Sequence, residues 1–333
     1  MKNPDHGGEC NPQERSATAV GGPATIQMHG GTDGAGDSLL GTGRPKVSVI
    51  MPTHNRAAML RRAIDSVLSQ TYGDLELIII SDGSTDTTSE TVASYSDPRI
   101  RYFKHDTSRG ASAARNTGLR ASRGDFIAFL DDDDEWTRDR LEIQLPVLED
   151  SSPDVGLVYG WMQYIRDQKV YKIHKPVLKG NVFVQMLDDQ AIGGCPTVMI
   201  KREVMDRVGL FDEELFRGND GDYWRRISQY YQVDYVPYVL ANIYVGHEDR
   251  ISVRSSVNLR NAIHSIEKRL AKFADVYKQY PVQACNARSQ ILAMRIHLKD
   301  YVNAMKDLLD IIKRLNVRCD HWFQFVKQRM VKK

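Results

Sequence analysis

Long apolar runs are missing from this 333-residue chain, and no stretch reaches the roughly 18 apolar residues of a membrane-crossing helix. The first residues carry no apolar h-region, so no secretory signal is expected. Cysteine is scarce: Cys10, Cys195, Cys285 and Cys319 are scattered, with no close pair and no zinc-ligand spacing. That scatter argues against a disulfide framework or structural zinc and predicts free thiols in a reducing compartment. Excess charge of one sign is also lacking. The 45 Lys plus Arg stand against 43 Asp plus Glu, a net +2, so no nucleic-acid partner is expected. A cytoplasmic protein, able to reach the inner face of the membrane, fits these absences. What remains, 41% hydrophobic and 26% charged residues, is enough for a buried core with one large domain and an appendage.

Residues 1–44 are rich in Gly, Ser, Thr, Pro and Asp with no hydrophobic period, and are expected to be disordered. Order is expected to begin at Lys46. Val47–Met51 reads as a buried strand and Pro52-Thr53-His54-Asn55-Arg56 as the turn after it. Leu60, Ala63, Ile64, Val67 and Leu68 fall at helical spacing to about Gln70. A strand over Leu75–Ile80, a helix over about 86–95, a strand over 99–104, a helix over 111–121 and a strand over 126–130 follow. This alternation predicts a mostly parallel sheet flanked by helices, with ligands at the carboxyl ends of the strands. From Thr137 to about Gly246 the pattern loosens into a helix at 138–148, strands at 155–161 and 197–201, a helix at 223–230, and strands at 233–236 and 240–245. Such a half completes a sheet. Beyond Ser256 the chain reads as helical and basic.

The strongest chemical signal is Asp131-Asp132-Asp133-Asp134-Glu135, directly after the apolar Phe126–Leu130. Five adjacent carboxylates repel unless a positive charge compensates them, and a divalent cation supplies one. If extended geometry persists, Asp131 and Asp133 share a face about 6–7 Å apart while Asp132 points away. Two carboxylates with open positions suit Mg²⁺ or Mn²⁺, which take oxygen ligands and can share a diphosphate. A second cluster, Ser81-Asp82-Gly83-Ser84-Thr85-Asp86, offers a strand-end carboxylate for a base or ribose, with Ser84 or Thr85 as helix caps. In a third, Arg115 lies among small residues in Ala113-Ala114-Arg115-Asn116, where a guanidinium can meet nucleotide or diphosphate oxygens.

Together, VSVIMPTHNRAAMLRRAIDSVLSQTY, LELIIISDGSTD, RGASAARNTGL and GDFIAFLDDDDEW resemble the inverting family 2 glycosyltransferases of the GT-A fold, over roughly Lys46 to Ser252. The resemblance implies a Rossmann-like GT-A domain over 45–256 and a basic helical extension over 257–333. It places Pro52, Thr53, Asn55, Arg56, Asp82 and Arg115 on the donor site, and Asp132 toward the ribose. It implies Asp131 and Asp133 as the metal-binding Asp-x-Asp, and His247 as a group reaching the metal or diphosphate. It puts Cys195-Pro196-Thr197 near the transferred sugar and Asp220 at the general-base position. Asp222 is the rival base, expected instead to anchor the following helix. Asn219, Gly221 and Ser81 depart from the residues common at those places in the family. The implied activity is inverting transfer of a sugar from a nucleotide-diphosphate (UDP) donor to a saccharide or lipid-linked acceptor, with Mn²⁺ or Mg²⁺. The setting is cell-surface polysaccharide or glycoconjugate synthesis. The alternative is a non-catalytic carbohydrate-binding protein on a degenerate transferase fold.

Residues 257–333 hold 16 Lys plus Arg against 6 Asp plus Glu. Tyr301, Met305, Leu308, Leu309, Ile312 and Leu315 keep a helical period. The last segment sets Trp322, Phe323 and Phe325 among Lys327, Arg329, Lys332 and Lys333, a pattern suited to an anionic membrane surface, to the protein's own body or to a partner chain. A homo-oligomer is compatible with that face.

Overall fold

The computed structural model describes Gln27–Met28 and residues 43–188, 192–246 and 255–315. A two-residue strand, β1 (Gln27–Met28), comes first, a short exception to the expected disorder of residues 1–44. Then β2 (Val47–Thr53), α1 (Ala57–Leu68), β3 (Leu75–Asp82), α2 (Thr88–Ala93), β4 (Ile100–His105), α3 (Ala111–Ala121) and β5 (Phe126–Phe129) alternate. β2, β3, β4 and β5 pair in parallel, in the order β4-β3-β2-β5. β1 adds antiparallel to β4, whose outer edge otherwise leaves backbone groups unpaired.

The strands read as continuous apolar runs because both faces of the sheet are covered. Val47, Val49 and Met51 of β2 and Leu75, Leu77 and Ile79 of β3 face one core with Leu60, Ile64 and Val67 of α1. Ile50, Ile78 and Ile80 face the other core with Ala114 and Leu119 of α3. Small residues in α3 permit close approach: a Cβ at Gly118 would lie 2.5 Å from Ile50 Cγ2.

The second half is β6 (Glu135–Trp136), α4 (Arg140–Glu149), β7 (Val155–Arg166), β8 (Lys169–His174), α5 (Phe183–Asp188), a 3-10 turn at Cys195–Thr197, β9 (Val198–Lys201), α6 (Arg202–Val208), α7 (Asn219–Ser228) and β10 (Gln232–Tyr244). β9 joins β5 and β7 antiparallel, and β10 runs parallel to β7. Two features correct the sequence expectation. The strands expected at 233–236 and 240–245 are one strand, bulged around Val236 to Ala241, where Pro237 cannot donate to the ladder. And α7 begins at Asn219 rather than Tyr223, entered through Gly218 at φ 69°.

Four helices follow: α8 (Ser256–Lys272), α9 (Ala274–Gln279), α10 (Pro281–His297) and α11 (Tyr301–Leu315). Leu187 of α5 packs with Phe273, Tyr277 and Ala284, and the Tyr277 hydroxyl donates to the Leu187 carbonyl at 2.7 Å. The helices therefore dock against α5. The expected aromatic-basic segment at Trp322–Lys333 lies outside the described residues. Among the described residues no helix is long and apolar enough to cross a membrane.

Candidate active site

The carboxyl ends of β2, β3 and β5 set three loops side by side, as parallel topology requires. Asn55, at φ 52°, locks two of them together. Its amide N–H donates to Ser84 Oγ at 3.0 Å, and its side-chain oxygen accepts from the N–H of Thr85 at 2.8 Å and of Asp86 at 3.4 Å. Ser84 and Thr85 do not cap α2 as expected: Thr87 stands at the N-cap without a side-chain cap bond, and Asp86 accepts from the Thr88 N–H at 3.1 Å.

Asp82, 4% exposed, is surrounded by donors. His105 Nδ1 lies at 2.7 Å, the Ser108 hydroxyl at 2.8 Å, the Arg109 N–H at 2.9 Å and the Gly110 N–H at 2.7 Å. Burial works to raise its pKa, yet these donors outweigh it and hold the carboxyl below its ordinary range. The side chain thus shapes the 106–110 loop beside the site. Gly83, at φ 68°, is what lets that loop close in: a Cβ there would stand 2.4 Å from the Ser108 nitrogen.

The acidic run departs from the expected extended geometry. β5 ends at Phe129 and the chain turns, with Asp134 N–H donating to the Asp131 carbonyl at 3.2 Å. Asp132 therefore does not point away from Asp133. Arg56 Nη1 lies 2.9 Å from Asp132 Oδ1 and 3.2 Å from Asp133 Oδ2. Arg115 Nη2 lies 2.6 Å from Asp131 Oδ1, and Arg62 donates to the Asp133 carbonyl. Arginines thus supply the compensating charge that sequence reasoning gave to a cation alone. Burial pushes the Asp132 carboxyl up to about 6, against the pull of Arg56 and the nearby Thr53 hydroxyl. Pro52 and Thr53 are buried at the end of β2.

Arg115 bridges the two halves. It is 6% exposed, and its Nη1 reaches Asn219 Oδ1 at 3.5 Å. Burial opposes its charge, but Asp131 and Asp220 more than restore it, so its pKa stands above the ordinary value. Cys195 sits in the same cluster, and burial pushes its thiol well up, which keeps it neutral. Asp220 lies in the first turn of α7, with Oδ1 accepting from the Gly221 N–H at 2.7 Å. A Cβ on Gly194 would come within 4.0 Å of Asp220 Oδ2. Asp222, two residues on, turns elsewhere: Oδ2 pairs with Arg226 Nε at 2.9 Å and Oδ1 with Lys272 Nζ of α8 at 2.8 Å. It serves as an ion-pair anchor and does not cap the helix, which starts three residues before it.

Sequence reasoning missed Arg62, whose guanidinium stacks 3.6 Å from the Tyr244 ring, while the Tyr244 hydroxyl donates to Glu135 at 2.8 Å. No local pattern marks a pair 182 positions apart. His105 was missed too, although its place at the end of β4, level with Asp82, was a usable signal. His247 lies outside the described residues.

Asp131 and Asp133 fit a hard divalent cation in donor chemistry, since both bring carboxylate oxygen to one turn at the sheet's active edge. They do not complete a site: among the described residues no group of three His, Cys, Asp or Glu is placed to hold a metal ion. Further oxygens, such as those of a diphosphate, are needed to fill the shell.

An open α/β sheet thus gathers aspartates and arginines around loops at its carboxyl edge, where such sheets bind their ligands. The sequence pattern described as Glycosyl transferase family 2 matches residues 48–209. An uncharacterized glycosyltransferase of Rickettsia felis is 41% identical over 179 residues, which cover 52% of this chain but only 28% of that protein. One of Rickettsia typhi is 30% identical over 248 residues, covering 72% of this chain and 74% of the relative. The UDP-Glc:alpha-D-GlcNAc-diphosphoundecaprenol beta-1,3-glucosyltransferase of Escherichia coli is 34% identical over 160 residues, 48% of this chain and 62% of that one. Among solved structures, Staphylococcus aureus TarS in complex with UDP shares the fold with TM-score 0.54 at 16% identity, over 81% and 88% of the two chains. The mannosyltransferase PcManGT of Pyrobaculum calidifontis, in complex with GDP-Man and Mn²⁺, does so with TM-score 0.55 at 23% identity, over 79% and 76%. The chain belongs to glycosyl transferase family 2.

Proposed function

We propose that the protein transfers a sugar, with inversion, from a nucleotide-diphosphate donor to an acceptor hydroxyl. The observation that carries this reading is one buried guanidinium, Arg115, that pairs with Asp131 at 2.6 Å, reaches Asn219 at 3.5 Å and feels the charge of the next residue, the candidate base Asp220. UDP is the donor nucleotide we favour, supported by the UDP-glucose donor in the name of the Escherichia coli relative and by UDP in the TarS complex. The same relative acts on a diphosphoundecaprenol-linked sugar, which favours a lipid-linked acceptor and a role in cell-surface polysaccharide or glycoconjugate synthesis.

In this reading the loops of Pro52, Thr53, Asn55 and Asp82 seat the nucleoside, and Arg56 and Arg115 turn toward the diphosphate. Asp131 and Asp133 would hold a divalent cation, a reading the Mn²⁺ of the PcManGT complex supports, and the cation would supply positive charge to offset that of the departing nucleotide. Asp220 accepts the proton of the acceptor hydroxyl as that oxygen attacks the anomeric carbon from the face opposite the diphosphate. One displacement turns an α-linked donor into a β-linked product. His247 is a further candidate for the metal or diphosphate.

The test is a donor panel (UDP-, GDP- and dTDP-sugars) with and without Mn²⁺, read by melting temperature and by released nucleotide. A nucleotide sugar that raises the melting temperature and is turned over only with Mn²⁺ supports the proposal. Binding without any release or transfer would favour a carbohydrate-binding role instead.

A further inference from the structure

α11 buries only one of its two apolar sides. Ala304, Leu308 and Ile311 pack with Cys285 and Leu292 of α10, and Asp307 pairs with Arg295 at 2.6 Å. On the other side Tyr301, Val302, Met305, Leu309 and Ile312 are each 49–72% exposed. At 3.6 residues per turn these five fall within an arc of about 100°. Single exposed apolar residues are ordinary, but five on one contiguous face mark a contact surface. Lys306 and Lys313, both exposed, come next around the helix on one border of that arc. Asp310, further round, is taken up by Arg288 at 2.7 Å and Arg314 at 2.9 Å.

We propose that this face of α11 seats the protein on an anionic lipid bilayer. The side chains match an interfacial helix: an apolar stripe to enter the acyl boundary, with lysines beside it at headgroup level. Charge favours the same partner. Residues 257–333 carry a net +10, while the chain as a whole carries only +2, so its positive charge is concentrated in the region that holds α11. A second copy of the chain fits less well, because an antiparallel symmetric pairing of two α11 helices would bring the lysines of both copies to one seam. The surface goes beyond the transfer reading and stands whether or not the acceptor is lipid-linked.

The experiment uses the full chain without donor or acceptor. Sedimentation is measured with vesicles of phosphatidylglycerol and phosphatidylcholine, and with phosphatidylcholine alone, while light scattering reports mass in solution. The expected result is binding to the anionic vesicles that falls at least about 10-fold in Met305→Gln/Leu309→Gln/Ile312→Gln. A several-fold loss is expected in Lys306→Gln/Lys313→Gln. The terminal segment from Trp322 onward is kept in every variant, so a loss reports on α11 itself. If the triple variant fails to fold, by circular dichroism and melting temperature, the lysine pair carries the test. Three results would overturn the proposal: no binding of the wild type to anionic vesicles, equal binding of the folded variants, or a wild-type dimer that the triple variant dissolves without change in vesicle binding. Failure here leaves transfer to a water-soluble acceptor unaffected, so the two readings are judged separately.

Discussion

Replacing Asp220 and Asp222 one at a time, each by Asn, should split catalysis from stability cleanly. Asp222 has a side chain only 4% exposed and holds two cations, Arg226 at 2.9 Å and Lys272 at 2.8 Å. Asn keeps one acceptor but removes the charge. Lys272 retains Asp212 at 3.0 Å, and Arg226 retains the Val208 and Leu210 carbonyls, so neither cation is stranded. The cost should therefore stay below the 3–5 kcal/mol of a fully broken buried pair, at about 2–3 kcal/mol. For a domain of this size that is a fall of roughly 4–6 °C in melting temperature. Asp220 is half-buried in the site, in the first turn of α7. Its replacement should leave donor affinity and melting temperature nearly unchanged while cutting the transfer rate by about 10²–10⁴-fold, as expected when only a proton acceptor is lost. Donor affinity is read by calorimetry, rate by product formation and stability by thermal melting. A stably folded but inactive Asp222→Asn beside a fully active Asp220→Asn would reverse the two roles.

Three further outcomes follow from the same contacts. Arg56→Gln leaves Asp132 and Asp133 without their shared guanidinium contact, so its melting temperature should fall in the absence of metal and recover more with Mn²⁺ than the wild type gains; equal Mn²⁺ shifts would refute this. Gly83→Ala must place a methyl 2.4 Å from the Ser108 nitrogen at φ 68°, and should cost about 2–4 kcal/mol and weaken nucleotide binding by moving the Asp82 loop; a variant with wild-type urea midpoint and affinity would show that the loop yields freely. Asp212 is held at about 2 instead of 3.8, burial opposing but Lys268 and Lys272 prevailing. Its contribution is full above the unfolded value and lost as pH falls toward 2, so the gap in unfolding free energy between wild type and Asp212→Asn, about 1 kcal/mol after solvent screening, should close between about pH 5 and 2; a gap constant across that range would contradict it.

How much of this was legible beforehand depends on whether the deciding interaction is local. The strands β2, β3 and β5 announce themselves because burial on both faces gives them apolar runs such as Val49-Ile50-Met51 and Leu77-Ile78-Ile79-Ile80, and α1 because Leu60, Ile64 and Val67 recur at helical spacing. The loops at their ends follow from topology, which is why Asp82 and the Asp131–Asp133 turn could be expected at the carboxyl edge of the sheet; Arg115 was expected within a helix and lies in α3. What the loops do with their charges was not legible. The repulsion argument for Asp131 to Asp133 was sound, but it could not say whether a metal ion or arginine 56 and arginine 115 of the same chain would answer it. Both partners lie at least 16 positions away.

The region around α7 illustrates the same limit and links it to function. Asp220 and Asp222 are two letters apart and equally acidic, so sequence offers only a helix-start argument to separate them. That argument rested on a start at Tyr223, and the helix begins at Asn219. What separates them is α8: Lys272 reaches Asp222 at 2.8 Å, Lys268 reaches Asp212 at 2.9 Å, and the Ser265 hydroxyl donates to the Arg217 carbonyl. From the other side Asn116 of α3 holds Phe211, its side-chain nitrogen 3.0 Å from that carbonyl. The loop that delivers Asp220 is thus clamped between the donor half and the C-terminal helices. A helical extension that reads in sequence as a basic appendage is, in the fold, part of what fixes the position of the candidate base.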